Sequence, residues 1–256
     1  MDRWRGRVAL VTGASVGIGA SVVEKLVEHG MTVVGCARNV AKIEANAEKL
    51  KKCAGKLVPV KCDLRREEEI LAMFELIKKE YGGVDVCINN AGCAVSPDSI
   101  LSGSTDSWRT QLEVNVLALC ICSRESVKQM REKNADDGQI VNLSSMSGHR
   151  IPPFKGGTTH FYSSTKFAVN AITEATRREL RELKTHIRVA MICPGLVRTE
   201  FQGRLLGDMA KGEELYASQE QILEADDIAS LVVTILQTPP HVQIHDILVR
   251  PTAQVY

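Results

Sequence analysis

RVALVTGASVGIGA, residues 7–20, is the stretch on which the fold turns. Residues 8–11 form a short apolar run bounded by a glycine turn and read as a buried strand. Gly13, Gly17 and Gly19 follow in a GxxxGxG spacing. A helical stretch runs over 17–29, with Ile18, Val22 and Leu26 on one stripe and Gly30 closing it. A helix N-terminus directly after a strand aims its free amides at the turn, where a phosphate can sit. Gly13 permits the tight turn, Gly17 a close approach of backbone to a pyrophosphate, and Gly19 close packing of helix on strand. Ser15 and Ile18 share that turn and are expected contacts of the same ligand. The spacing differs from the GxGxxG fingerprint, and glycines in such a turn also serve conformation alone. It is the strand–turn–helix context that favours a dinucleotide.

Outward from this unit, short apolar runs alternate with helical patterns. Strands are expected from Met31 (MTVVGC), Lys56 (KLVPVKC), Val84 (VDVCIN), Gly138 (GQIVNLS), His186 (HIRVAMIC) and His241 (HVQIHDILV). Helices are expected over 41–52, 67–81, 106–131, 161–183 and 226–237. Pro59 cannot donate to a ladder, so the third strand belongs at an edge. Strands alternating with helices imply right-handed crossovers and a mostly parallel sheet covered on both faces. The expected fold class is α/β, a three-layer, doubly wound, Rossmann-like parallel sheet. No linker composition divides the chain, so residues 1–256 are read as one domain. The irregular segments 94–105, 151–160 and 196–224 follow strand carboxyl ends, the edge where open α/β sheets bind ligands. The last of them is expected to be a flap over the substrate.

The chain has 256 residues, 44% hydrophobic and 25% charged, an ordinary globular mixture. Its 32 basic and 31 acidic residues leave a net charge of +1, so no global field draws it to nucleic acid or anionic membrane. No apolar run approaches the roughly 20 residues of a membrane span. The N-terminal run is too short for a signal peptide, so a cytoplasmic protein is expected. Eight cysteines form no CxxC or Cys/His zinc pattern and read as small buried hydrophobes in a reducing cytosol, with no metal site.

The second strand ends GCARN, near where a dinucleotide's adenosine ribose lies. An acid there would bind a free 2′-hydroxyl. Ala37 and Arg38 stand there instead, and a guanidinium grips a 2′-phosphate, which favours NADP (NADPH) over NAD. A solvated arginine opening the next helix is the alternative. Asp63 is expected either to accept from the adenine amine or to cap a helix over 64–81. Asn39 and Leu64 flank these two positions and complete the expected adenosine contacts.

YSSTK places Tyr162 and Lys166 four residues apart, on one helix face. A free tyrosine, with a pKa of about 10, is a poor base at neutral pH. A neighbouring ammonium favours the phenolate, and a shift of about three units takes roughly 4 kcal/mol. The same pair can act as an acid in the reducing direction. Alone, YxxxK is a common surface pattern.

TGASVGIG, Asp63, NNAG at 89–92, Asn115, IVNLSSMSG, YSSTK and PG at 194–195 occur in an order that resembles the short-chain dehydrogenase/reductase family. VVGCAR, CINNAG, NVLAL, SMSGHR and THFYS further resemble an animal cytosolic subgroup that reduces 17-ketosteroids and other carbonyls, with insect NADP-dependent farnesol dehydrogenases nearby. The resemblance implies that Tyr162 is the acid/base and that Lys166 lowers its pKa and holds the nicotinamide ribose. It implies that Ser145 binds the substrate oxygen and Asn115 helps hold a water linking Lys166 to solvent. A structural role for Asn115, as a helix bend or buried polar group, is the alternative. Asn90, Ala91 and Gly92 would line the cofactor site, and Pro194, Gly195, Val197 and Thr199 would hold the nicotinamide. Ser144 rivals Ser145, which is preferred because the family's serine is usually the second of such a pair.

The interval from Ser145 to Tyr162 is longer than in the family and contains IPPFKGGTTH, which suits a loop over the site. In the flap, Phe201, Leu205, Leu206 and Met209 could line an apolar pocket, while Arg198, Arg204 and Lys211 read as a solvated face. These features suggest a small apolar carbonyl or alcohol substrate such as a steroid or isoprenoid. Three functions follow: an NADPH-dependent carbonyl reductase, a farnesol-type alcohol dehydrogenase, or a non-catalytic dinucleotide sensor. The complete Asn/Ser/Tyr/Lys set argues against the last. In the family the helices bearing Asn115 and Tyr162 pair into a four-helix bundle, so a homodimer or homotetramer is expected.

Overall fold

Residues 1–96, 98–151 and 159–254 are described here from a computed structural model. Val8–Thr12 is strand β1, buried along its whole length. Its side chains alternate between two cores, Ala9 and Val11 in one and Val8 and Leu10 in the other. That is the period of two expected of a strand with both faces covered. Helix α1 (Gly17–Glu28) follows, then β2 (Thr32–Ala37), α2 (Val40–Leu50) and β3 (Lys56–Lys61). Helix α3 (Glu67–Tyr81) leads to β4 (Val86–Asn89). Helix α4 (Thr105–Leu112) passes through a π turn at Glu113–Leu117 into α5 (Ala118–Glu132), then β5 (Gln139–Leu143).

Helix α6 (His160–Glu182) precedes β6 (Arg188–Pro194). The flap segment holds two short helices, α7 (Phe201–Leu206) and α8 (Met209–Ala217), and α9 (Ala225–Gln237) leads to β7 (Asp246–Val249). All strand pairs are parallel, in the order β3-β2-β1-β4-β5-β6-β7. Helices α1 and α9 cover one face, and α3 and α5 the other. This is the three-layer, Rossmann-like sheet the sequence predicts, with β3 and its Pro59 at an edge.

Three features differ from the sequence reading. The helix after Asp63 spans Glu67–Tyr81, as expected over 67–81, with three glutamates in its first turn, but Asp63 does not cap it. Asp63 instead ion-pairs with Arg65, and its backbone N–H donates to Glu69 at 2.8 Å. The long helix over 106–131 is broken at Asn115 by the π turn, where the Ala118 N–H reaches back five residues to the Glu113 carbonyl. The last strand begins at Asp246 rather than at 241. Side chains replace the ladder before it: Arg188 donates to the Val242 carbonyl at 2.7 Å, Arg177 to that of His245, and Gln243 accepts from the Val189 N–H.

Candidate active site

A cleft of about 920 Å³ opens along the carboxyl ends of β1, β2, β3 and β4. Gly13, Ser15, Gly17, Ile18, Gly19, Arg38, Asn39, Asp63, Leu64, Asn90, Ala91, Gly92 and Thr199 all line it. Pro194, Gly195 and Val197 do not, and neither do Asn115, Ser145, Tyr162 and Lys166. Gly195 is closed over by the C-terminal segment, whose Gln254 side-chain Oε1 accepts from the Leu196 N–H at 3.0 Å.

The glycine turn is built by exclusion of side chains. Gly13 and Gly17 have φ of +68° and +58°, left-handed values that favour glycine. A Cβ on Gly19 would stand 2.3 Å from the Gly13 carbonyl oxygen and 2.5 Å from the Asn90 amide nitrogen. The Asn90 side chain is spent on backbone, donating to the carbonyls of Thr12 at 2.8 Å and Gly13 at 3.2 Å. It stitches the end of β1 to the end of β4 while its own surface faces the cleft.

At the adenosine end Arg38 is exposed, lines the cleft and is held by no ion pair among the described residues. The Asp63 carboxyl is kept below its usual range chiefly by its hydrogen bond from Arg65, with a further contribution from Arg38.

The titratable set lies behind the cleft wall formed by Gly92, Cys93, Ala94 and Phe201. Tyr162 and Lys166 are both buried on α6, the lysine nitrogen 5.6 Å from the phenol ring centre. Lys166 donates to the Leu143 carbonyl at 2.8 Å, and a Cβ on Gly92 would lie 3.4 Å from its nitrogen, so the cleft wall is one atom layer away. Burial lowers the Lys166 pKa from 10.5 to about 8. Burial also pushes the Tyr162 phenol well above its usual value, against an opposing hydrogen bond with Ser145. Desolvation thus outweighs the phenolate-favouring effect expected from YxxxK spacing.

The two serines are separated by their partners. Ser144 is buried and donates to Asn170 at 2.8 Å, away from Tyr162. Ser145 accepts from the Ser147 N–H at 3.0 Å and shares the hydrogen bond with Tyr162 despite the long interval between them. Most of that interval, 152–158 with Pro152, Pro153, Gly156 and Gly157, lies outside the described residues. Asn115, in the π turn, holds the Cys93 backbone from both sides at 2.8 Å and donates to Thr165 at 3.0 Å.

The flap brings Phe201 to 5.3 Å from the Tyr162 ring, and Leu205 is buried with Ala94 and Tyr162. Met209 does not join this patch: it is half exposed, and it packs under Gly203, whose Cβ would meet its sulfur at 2.6 Å. Arg204, read as solvated, lines the cleft and pairs with Glu200, which also pairs with Lys42 of α2 at 2.9 Å. Arg198 is tied to Glu213 and Glu224 inside the flap.

Sequence reasoning missed Asp98, which lies in an irregular stretch with no motif around it. It also missed the line Ser123–Asn89–Asn142–Thr173, which appears only when β4 and β5 pair. Most cysteines are buried as expected, but Cys93 lines the cleft. Among the described residues no His/Cys/Asp/Glu group could hold a metal ion, and no helix is long and apolar enough to cross a membrane.

The sequence pattern of the short chain dehydrogenase family matches residues 7–209, and the chain belongs to that family of oxidoreductases. It is 55% identical to dehydrogenase/reductase SDR family member 11 of Gallus gallus over 259 residues, covering 100% of both chains. It is 39% identical to farnesol dehydrogenase of Aedes aegypti, again over 100% of both. Among solved structures it resembles the closed form of a serine dehydrogenase complexed with NADP+, with a TM-score of 0.87 and 27% identity over 97% of this chain and 96% of the other.

The buried lysine has a stability consequence. Its folded pKa of about 8 lies below the unfolded 10.5, so its destabilising effect is fully present below pH 8 and disappears as pH rises to 10.5. Lys166→Met, which also loses the bond to Leu143, is expected to stabilise the protein at pH 7 by about 2 kcal/mol. Denaturant unfolding of both proteins at pH 7 and about pH 10 checks this; an equal gain at both pH values contradicts it.

Proposed function

We propose that this protein is an NADPH-dependent reductase of apolar ketones, with Tyr162 as the proton donor. The observation that carries the reading is a buried Tyr162 beside Lys166, packed on Ala94 and Phe201 of the wall of a cleft lined by the glycine turn and Arg38. NADPH, when bound, supplies a hydride to the substrate carbonyl carbon. Ser145 donates a hydrogen bond to the carbonyl oxygen as negative charge develops there. Tyr162 gives its proton to the same oxygen, completing an alcohol. Lys166 holds the nicotinamide ribose and helps return a proton to Tyr162 through a water that Asn115, itself buried, helps hold.

The residues present fit the cofactor. The glycine turn leaves open the space a pyrophosphate needs, and the unpaired Arg38 suits a 2′-phosphate. The NADP+ complex of the similar serine dehydrogenase supports the same choice. Ala94, Phe201 and Leu205 around Tyr162 favour an apolar substrate, a steroid or isoprenoid ketone. Oxidation of a farnesol-type alcohol is the second reading, favoured by the likeness to the Aedes aegypti enzyme. A cytoplasmic homodimer or homotetramer goes with this reading. Leu112, Leu117 and Phe167 are exposed on the helical segments around Asn115 and Tyr162, where a second copy could cover them.

Turnover of a panel containing cyclohexanone, a 17-ketosteroid and farnesal, with NADPH and with NADH, tests the function directly. Tyr162→Phe is expected to cut kcat by on the order of 100-fold or more, with NADPH affinity nearly unchanged; near-full turnover overturns the assignment. Arg38→Asp is expected to weaken NADPH binding by roughly 2–4 kcal/mol, read by fluorescence titration, and equal NADPH and NADH efficiencies in the unaltered enzyme contradict the cofactor choice. Light scattering at micromolar concentration is expected to give a dimer or tetramer, and a monomer refutes the assembly.

A further inference from the structure

The first turn of α6 carries Tyr162, yet its own N-cap, Thr159, makes no side-chain capping bond. A helix start leaves several amides without intrahelical partners, and burying them so is costly. The partner comes from 64 residues earlier. Asp98, 2% exposed in the segment after β4, accepts from the Tyr162 N–H with both carboxylate oxygens, at 3.3 and 3.2 Å. Its carbonyl also accepts from the Phe161 N–H at 3.3 Å. Gln111, fully buried on α4, donates to the same carboxylate at 2.7 Å. Three elements thus meet on one carboxylate: the segment that continues the cleft wall of residues 90–95, the helix leading to Asn115, and the helix of Tyr162.

We propose that Asp98 is a positioning residue for proton transfer: it fixes the backbone of Tyr162 against the cleft wall and sets a carboxylate at the start of the Tyr162 helix. The inference rests on Tyr162 as the proton donor. The groups acting on the phenol come from every side. Lys166 lies on its own helix, Ser145 follows β5, Cys93 follows β4, Cys193 lies on β6, and Asp98 faces the start of the helix. Burial raises the Asp98 pKa above its usual value, opposed by the hydrogen bonds from Gln111 and the Tyr162 N–H and by nearby His160. A carboxylate at this place raises the cost of forming a phenolate, which keeps the acid form available for ketone reduction.

Asp98→Asn and Asp98→Ala separate the two effects. Asparagine keeps an acceptor for the Tyr162 N–H, and its amide can donate to the Gln111 side-chain oxygen, which has no partner now. The ketone of the panel with the highest kcat/KM and its alcohol serve as probes. Asp98→Ala is expected to lower kcat by about 10-fold or more, the scale of a misplaced acid, with the NADPH KM little changed. Asp98→Asn is expected to recover most of that kcat. It is also expected to move the rising limb of NADP+-dependent alcohol oxidation down by about one pH unit, because the removed charge no longer opposes the phenolate. If the alanine variant does not fold, by circular dichroism, the limb of the asparagine variant alone decides.

A folded Asp98→Ala with kcat within twofold of the unaltered enzyme, or an unmoved limb in Asp98→Asn, overturns the proposal. If Tyr162→Phe is inactive when this happens, the proton-donor reading stands and only the role of Asp98 falls. If Tyr162→Phe keeps its turnover, or no panel ketone is reduced, both fall.

Discussion

The missing side chain at Gly19 is the constraint on which the site depends. It lets α1 begin within contact of the Gly13 carbonyl, where even a methyl group would overlap backbone. Because the helix starts there, its first amides face the end of β1 rather than solvent, and the crevice between β1 and β4 stays open. Asn90 closes the arrangement from the other strand by bonding the two carbonyls that the turn leaves exposed. Thr12 answers by accepting from the Asn90 and Ala91 amides. The glycine turn and the NNAG segment are therefore one structure, although 77 residues separate Gly13 from Asn90.

Behind the cleft, hydrogen bonds between buried polar side chains tie strands to helices. Asn89 and Asn142 sit opposite each other on β4 and β5, and their amides continue to Ser123 on α5 and Thr173 on α6. Asn115 and Thr165 make a second tie, and Lys166 to Leu143 a third. An amide or ammonium buried without such bonds is costly, so each bond selects one placement of α6 against the sheet. That placement brings Tyr162 beside Ser145. The same burial that fixes the position also shifts the acidities: it moves the lysine down toward neutrality and the phenol up. The pair is then held in a high-energy environment that a bound cofactor can relieve.

The flap works on the other side of the cleft with exposed charges. Lys42–Glu200–Arg204 runs from α2 to the flap, and Thr199 lies against Gly17. Ion pairs this exposed contribute little to stability, about 0–1 kcal/mol each. Phe201 and Leu205 add an apolar contact with Tyr162.

The sequence by itself determines the sheet, its edge strand, the glycine turn and the pairing of Tyr162 with Lys166 on one helix face. Those follow from local patterns: runs of buried β-formers, glycines at a strand end, a tyrosine and lysine one helical turn apart. It also singles out Phe201 and Leu205 as apolar, though not that Met209 turns under Gly203 instead of joining them. The tertiary structure decides what depends on neighbours distant in the chain. Ser144 and Ser145 are adjacent and chemically identical, and only Asn170 on α6 distinguishes them. Asp63 looks like a helix cap until Arg65 takes it. The last strand starts late because Arg177, Arg188 and Gln243 satisfy the backbone before it. The Tyr162 acidity is the clearest case. Spacing places a cation near the phenol, but the desolvation that outweighs it arises only when sheet, flap and helix close around the ring.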